Sequence, residues 1–332
     1  MPSTIPPVDH NMLSKKVTIL TPIYNDWDSF AYLIQAIDRY AAELGEVTII
    51  AVDDGSTQPF PSVMNELKEL KHIQNISILH LVRNLGHQKA IALGIAYINV
   101  NNPCDLLIVM DSDGEDKPED IQTLLRENIK YPDQIIFARR ARRSEGIVFT
   151  AFYLLYQFFF NLLTGRRISF GNFSLIPGGL LNRVAHLPEI WNHFAAGVMR
   201  ANIPWTSIPT QRGKRYAGKS SMNFISLVIH GLSAISVYIE ILTVRLMLVA
   251  MVVIAVGIAG FLILLYVKYL TPLAIPGWAT NVAIGIVVIM FQAILLLALL
   301  AFLTLNYRST KLFIPAKDYQ DYLLNLETIH AH

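Results

Sequence analysis

Leu106-Leu107-Ile108-Val109-Met110 runs without a break into Asp111-Ser112-Asp113-Gly114-Glu115-Asp116. The five apolar residues read as a strand buried in a parallel sheet. Lys117-Pro118-Glu119-Asp120 then opens a helix, with Pro in its first turn and acids at the positive end of its dipole. Asp111, Asp113 and Glu115 therefore sit at alternate positions at the carboxyl end of a central strand. That edge is where open α/β sheets bind ligands. Hard carboxylate oxygens suit a divalent cation such as Mg²⁺ or Mn²⁺, which would neutralise a pyrophosphate leaving group. By itself the run also reads as a solvated acidic loop capping a helix, and the rest of the chain has to decide.

Upstream, the same pattern repeats. Residues 17–20 form a short strand ending in Thr21-Pro22-Ile23-Tyr24-Asn25-Asp26, and residues 27–44 are helical up to Gly45. A second strand, 47–52, runs into Asp53-Asp54-Gly55-Ser56. A helix over 62–70 leads to a strand over 76–82, then Arg83-Asn84-Leu85-Gly86-His87-Gln88-Lys89 and a helix over 90–98. This β-α-β-α-β-α-β-α order predicts a parallel sheet with right-handed crossovers. Every unusual polar turn follows a strand, so all of them gather on one edge as a single site. No G-x-G-x-x-G follows the first strand and no G-x-x-x-x-G-K-[ST] occurs, so the usual dinucleotide and P-loop phosphate cradles are lacking. His87 has two readings, a contact to phosphate or donor and a helix cap. His186, His193 and His230 lack metal-ligand spacing.

Downstream, a strand over 134–138 precedes Arg139, Arg140, Arg142 and Arg143 and an uncharged stretch over 146–165. Basic residues on both sides, Arg166 and Arg167 after it, argue for an interfacial helix on the cytoplasmic leaflet rather than a span. Residues 170–210 read as compact, irregular structure returning to the sheet. Gln211-Arg212-Gly213-Lys214-Arg215-Tyr216-Ala217-Gly218-Lys219 is a mobile basic loop, and residues 222–240 form a second apolar, interfacial helix. Two stretches, 246–267 and 279–305, are long enough to cross a bilayer. Arg245 before them, with Arg308, Lys311 and Lys317 after them, put both ends inside. Residues 316–332 read as a polar tail, with His330 and His332 at a frayed end.

Composition agrees. Of 332 residues, 53% are hydrophobic and 16% charged, with a mean hydropathy of +0.42, against about 25% charged in soluble domains. The net charge of +2 and the lack of aromatic-basic stacking motifs exclude a nucleic-acid partner. One cysteine, Cys104, excludes an intramolecular disulfide framework and fits a reducing cytosolic face. The start of the chain has no basic-then-apolar signal pattern, which keeps the first domain in the cytoplasm.

Thr21-Pro22-Ile23-Tyr24-Asn25, Val52-Asp53-Asp54-Gly55-Ser56, Arg83-Asn84-Leu85-Gly86 and Met110-Asp111-Ser112-Asp113, in this order and spacing, resemble family 2 glycosyltransferases of the GT-A fold. With the arginine knot, the basic glycine loop and the C-terminal hairpin, residues 15–310 resemble the polyprenyl-phosphate type, such as bactoprenol glucosyltransferases and, more distantly, dolichol-phosphate mannose synthase. The resemblance implies a flexible start (1–14), a cytosolic GT-A domain (15–221), a juxtamembrane helix (222–244), two transmembrane helices (245–306) and a cytosolic tail (307–332). It implies a nucleotide-diphosphate sugar, a UDP-sugar, as donor, an undecaprenyl-type phosphate as acceptor, the bacterial inner membrane and a homotetramer. Pro22, Tyr24, Asp26, Asp53, Asp54 and Ser56 would surround base and ribose, with Gly86 and Lys89 nearby. Asp111 and Asp113 would bind metal and sugar diphosphate, with Glu115 where the family usually has a metal-binding Gln. Arg139 and Arg143 would grip the acceptor phosphate, and Arg212, Lys214, Arg215 and Lys219 would close over the diphosphate.

The chain departs from the pattern at Asp26, where Glu is usual, at Gly86-His87-Gln88-Lys89, and at Gly171-Asn172-Phe173-Ser174, which lacks the usual Arg. These departures touch the donor sugar. Three rivals stand beside the reading: an enzyme using a hydroxyl acceptor, a polysaccharide synthase, whose usual Q-x-x-R-W motif is absent, and a non-catalytic membrane scaffold, against which the intact Asp111 and Asp113 argue.

Overall fold

The structure is a computed structural model and describes residues 14–58, 70–140, 157–158, 160–166, 170–217, 224–272 and 277–331. The chain divides into two compact units. One comprises Met1–Leu154, Arg167–Val237 and Phe313–His332, the other Leu155–Arg166 and Tyr238–Leu312.

The first unit is built on β1 (Lys16–Ile23), β2 (Glu46–Asp53), β3 (Ile73–Leu81), β4 (Leu106–Val109), β5 (Ile135–Arg140), β6 (Ser174–Pro177), β7 (Trp205–Thr210) and β8 (Leu323–Ala331). These form one sheet in the order β7-β5-β6-β4-β1-β2-β3-β8. The strands β3, β2, β1 and β4 are mutually parallel, as the alternation of strands and helices predicts. β6 runs against both β4 and β5, and β7 runs with β5. Six strands thus point their carboxyl ends at one edge, where the amino ends of β6 and β8 also lie. This mixed, mostly parallel sheet is the GT-A arrangement.

Helices cover both faces, since β1, β2 and β4 are mostly apolar and are buried at nearly every position, which leaves no face for water. On one face α1 (Trp27–Ala41) and α3 (Glu119–Lys130) bury Phe30, Ile34, Ile121 and Leu124 against Ile19, Ile49 and Ile108. On the other lie α2 (His87–Asn101), α4 (Gly178–Ala185) and α5 (Phe194–Arg200), with Ile91, Val184 and Phe194 against Leu20, Val52 and Val109.

The structure corrects the sequence reading twice here. Residues 170–210 are not irregular, since they supply β6, α4, α5 and β7. Their strands are only four and six residues long and their helices eight and seven, too short for periodicity to register. Nor is the tail frayed. β8 pairs antiparallel with β3 from Leu81↔Leu323 to Asn75↔Ala331, and His330 Nε2 lies 3.2 Å from the Ile73 carbonyl. Trp191 meets Phe313 and Tyr322 at 3.9 and 5.3 Å between ring centroids, and Tyr319 meets Tyr97 at 6.4 Å. The first unit is therefore not complete at residue 221 but includes residues 313–331.

A further helix of this unit, α6 (Phe224–Ser236), is apolar. Its partner in the interfacial reading, residues 146–165, lies largely outside the described residues, as do Arg143, Lys219, the helix expected over 62–70 and His332.

The second unit holds α7 (Ile239–Leu270) and α8 (Trp278–Ser309), each 32 residues and apolar enough to cross a membrane. At about 1.5 Å per residue each outruns a hydrocarbon core about 30 Å thick. They pack antiparallel, with Gly257 against Met290 and Gly260 near Ile286. Charges sit at one end, where Arg308 reaches Glu240 at 3.5 Å and Arg245 donates to the Leu162 carbonyl at 2.7 Å. Tyr266, Tyr269 and Trp278 mark the other, the amphipathic rings expected at a membrane–water boundary.

Candidate active site

The nucleotide side is built from the loops after β1, β2 and β3. Asp53, at the end of β2, is buried. Its Oδ1 accepts the Ser56 N–H at 2.9 Å, and its Oδ2 lies 2.8 Å from His80 Nδ1. Ser56 Oγ accepts the Asn25 N–H at 2.9 Å, and Asn25 Oδ1 accepts the N–H groups of Thr57 and Gln58 at 2.9 and 3.0 Å, which joins the β1 and β2 loops. Asp54 joins the third loop, accepting Leu85 N–H at 2.7 Å and Gly86 N–H at 2.9 Å. Burial raises the Asp54 pKa against the opposing pull of those two donors. Gly55 is required where it stands. It has φ +70°, and a Cβ would come within 2.6 Å of the Arg83 and Asn84 backbone. Pro22 and Tyr24 sit beside this network, Tyr24 about half exposed.

The acidic loop after β4 is braced from within. Asp116 Oδ2 accepts the Asp111 N–H at 3.0 Å, and Ser112 Oγ–H donates to the Pro22 carbonyl at 3.3 Å. Asp113 Oδ1 accepts the Glu115 N–H at 2.9 Å. Burial first, then the charges of Asp111 and Glu115, push the Asp113 carboxyl up to about 6, against Arg215 and the Glu115 amide. Arg215, 3.0 Å from Asp113 Oδ2, offsets only part of that push.

Arg215 lies in the basic loop after β7. Gly213 N–H donates to the Glu115 carbonyl at 2.8 Å and Tyr216 N–H to the Asp113 carbonyl at 2.9 Å. Arg212 meets Glu115 at 2.5 Å. Arg215 bridges Asp113 at 3.0 Å and Asp26 at 2.6 Å. Gly213 is obligatory here as well, since a Cβ would stand 2.1 Å from the Gly114 carbonyl oxygen. Lys214 is exposed.

Two expectations are corrected by this geometry. Asp111, Asp113 and Glu115 do not converge as three metal ligands; among the described residues no group of three or more His, Cys, Asp or Glu side chains is arranged to hold a metal ion. Glu115 pairs with Arg212 instead, an arginine from the loop after β7, three strands along the sheet from β4. Lys89 turns from the nucleotide side and lies 5.1 Å over the Trp191 ring. Two residues along a helix rotate a side chain by about 200°, so Lys89 cannot share the direction of His87.

His87 is brought into the site. Its Nε2 is 3.2 Å from Asp111 Oδ1 and 2.9 Å from Asn172 Nδ2. Gln88 fixes Asn172 through a 3.1 Å bond while its own Oε1 accepts Phe194 N–H at 2.7 Å. Burial acts to lower the His87 pKa, but Asp111, Asp116 and Asp54 outweigh it and raise it. His193 is structural. Its Nδ1 accepts Ala196 N–H as the cap of α5, its ring lies 4.8 Å from His230, and burial, then His230 and His87, push it down to about 3. Arg139 is exposed at the end of β5, on the same edge. Sequence reasoning missed His80 and Glu327, for no motif surrounds them, and it marked Asn172 only as part of a departure from the family pattern. A histidine next to an active strand end, as His80 is after Ile78-Leu79, was the one available signal.

The paired carboxylates Asp111 and Asp113 fit a hard divalent ion in donor type, and the raised Asp113 is the group such an ion would relieve.

Undecaprenyl-phosphate 4-deoxy-4-formamido-L-arabinose transferase of Klebsiella pneumoniae subsp. pneumoniae is 27% identical over 235 residues, covering 68% of this chain and 66% of that protein. The chain thus spans slightly under two thirds of that relative's length. Among solved structures, glucosyl-3-phosphoglycerate synthase from Mycobacterium tuberculosis, in complex with Mn²⁺, UDP-glucose and phosphoglyceric acid, aligns at a TM-score of 0.49 and 12% identity, covering 69% of this chain and 80% of that one. Mannosyl-3-phosphoglycerate synthase from Rubrobacter xylanophilus aligns at 0.48 and 14% identity, covering 67% and 72%. The model for glycosyl transferase family 2 matches residues 18–191, and the chain belongs to that family.

Proposed function

We propose that the protein transfers a sugar, with inversion, from a nucleotide-diphosphate sugar to a polyprenyl phosphate at the cytosolic face of a bacterial membrane. The observation that carries this reading is the lacing of Arg212 and Arg215 onto Glu115, Asp113 and Asp26, beside loops ordered by Asp53 and Asp54. Opposite charges gathered at a strand edge, on a loop with two glycines, suit a diphosphate that binds between them. The relative's name supports a lipid-phosphate acceptor, and α7 and α8 support membrane residence.

In this reading Pro22, Tyr24, Asp53 and Ser56 hold the base and ribose. Arg212 and Arg215 exchange their carboxylate partners for the diphosphate, and Lys214 and Lys219 of the same loop add their charges to it. Mg²⁺ or Mn²⁺, held by Asp111 and Asp113, would neutralise charge on that diphosphate. Arg139 and Arg143 hold the acceptor phosphate as planar forks. One acceptor oxygen forms a bond to the anomeric carbon while the bond from that carbon to the β-phosphate oxygen breaks, and its electron pair leaves with the nucleoside diphosphate. The acceptor oxygen is already anionic, so no strong base is needed and alignment carries most of the rate.

The test is a side-by-side assay of polyprenol and polyprenyl phosphate with one donor, in wild type and Arg139→Lys. The free alcohol should be a very poor acceptor at any concentration, and Arg139→Lys should weaken acceptor use more than donor hydrolysis. Comparable transfer to the alcohol would overturn the phosphate-acceptor reading.

A further inference from the structure

β8 enters the sheet after both long apolar helices, and it brings one acidic side chain to the nucleotide side. Glu327 Oε2 lies 3.3 Å from His80 Nε2, and His80 Nδ1 lies 2.8 Å from Asp53 Oδ2. The three residues stand on three adjacent strands. Asp53 is in register with His80, and His80 is in register with Asn325, two residues before Glu327. The His80 side chain is 19% exposed and Asp53 9%, while Glu327 is about half exposed, so the bridge runs from solvent to a buried carboxylate. The far oxygen of Asp53 holds the Ser56 amide, and Ser56 Oγ in turn holds Asn25.

A carboxylate with two oxygens tied in different directions has a fixed plane. Without His80, Asp53 could rotate about its last torsion and release either oxygen to water. Without Glu327, the imidazole loses the partner that fixes its ring orientation, the same service that outer carboxylates perform for metal-binding histidines. Thr328, the next residue, pairs with Ser77 at 3.3 Å on the opposite face of the strand, so it belongs to β8 but not to the bridge.

We propose that His80 and Glu327 are positioning residues for the nucleoside part of the donor, through which the C-terminal strand holds Asp53 in its binding orientation. This rests on the reading of Asp53 as a nucleotide-pocket residue.

The experiment measures UDP affinity by calorimetry on the full chain in detergent, together with kcat at saturating donor. His80→Ala should weaken UDP binding about tenfold, the scale of one hydrogen bond to a charged group. Glu327→Ala should weaken it about threefold, as suits a half-exposed partner. Neither should change kcat at saturating donor by more than about twofold, because the reacting groups are untouched. Glu327→Gln, which keeps an oxygen for the ring, should bind as wild type does. The double variant should lose no more than His80→Ala alone. Thr328→Ala should bind normally; a loss equal to that of Glu327→Ala would reduce β8 to scaffolding and overturn the proposal. Weakened binding in Asp53→Asn with unchanged binding in Glu327→Ala would overturn the bridge alone. Unchanged binding in Asp53→Asn would overturn the pocket reading as well.

Discussion

Asp113 and Asp116 are three residues apart and carry the same group, yet they do different work. Asp116 spends its carboxylate on the Asp111 amide, and asparagine there keeps an oxygen for that bond. Asp113 is the carboxylate driven upward by burial and its acidic neighbours. Asp113→Asn should therefore cost activity on the order of 100-fold, as the loss of one preorganised electrostatic group does. Asp116→Asn should stay within about tenfold. Added Mn²⁺ should raise the melting temperature of wild type and of Asp116→Asn but not of Asp113→Asn. Equal shifts in all three would remove Asp113 from the cation site. His193 gives a pH test at the same scale. Its folded pKa lies far below the unfolded 6.5, so the unfolded chain binds one more proton below that pH and stability falls as pH drops. The slope from this group is about 1.4 kcal/mol per pH unit. His193→Asn keeps an oxygen to cap α5 and cannot be protonated. Its melting temperature should therefore fall less steeply than wild type between pH 6.5 and 5.

At the scale of elements, the short apolar runs and the polar strand ends were legible because each run was bounded by a breaker. β1, β2 and β4 needed nothing more than Val17 to Leu20, Val47 to Val52 and Leu106 to Val109. β6 was not legible: four residues beginning at Ser174 carry no period, and its direction is set by β4 and β5 on either side. β8 was hidden for another reason. Leu324, Asn325, Leu326 and Glu327 alternate as an edge strand should, yet nothing local says that the partner lies some 250 residues earlier. The site followed the same division. Asp111, Asp113 and the basic loop announced themselves by charge at strand ends, whereas the retreat of Glu115 to Arg212 and of Lys89 to Trp191 depends on which elements are neighbours. β8 also supplies the element-scale prediction. A chain ending at Leu312 loses that strand, and with it Phe313, Tyr319 and Tyr322 from the aromatic packing. It should melt at least 10 °C lower, as removal of a nine-residue strand with one buried and two half-buried aromatics implies, and hydrogen exchange should rise first in β3. Unchanged protection of β3 would show that the strand is dispensable.

For the whole molecule, the charge and length of the C-terminal segments were plain in the sequence, whereas the membership of residues 313–331 in the first unit was not. The order in which the chain is synthesised gives this membership a consequence. A ribosome finishes β1 to β7 and both long apolar helices before it reaches Leu323, so the sheet waits with the β3 edge open while α7 and α8 are still being delivered. An open edge of nine residues invites pairing with other chains. Joining two strands so distant in the sequence makes the last step of folding a slow one. The nascent protein thus acquires its final strand only after its apolar helices have left the ribosome, and with that strand Glu327 reaches His80. On the proposed reading of Asp53, the nucleotide pocket would be the part of the protein that matures last.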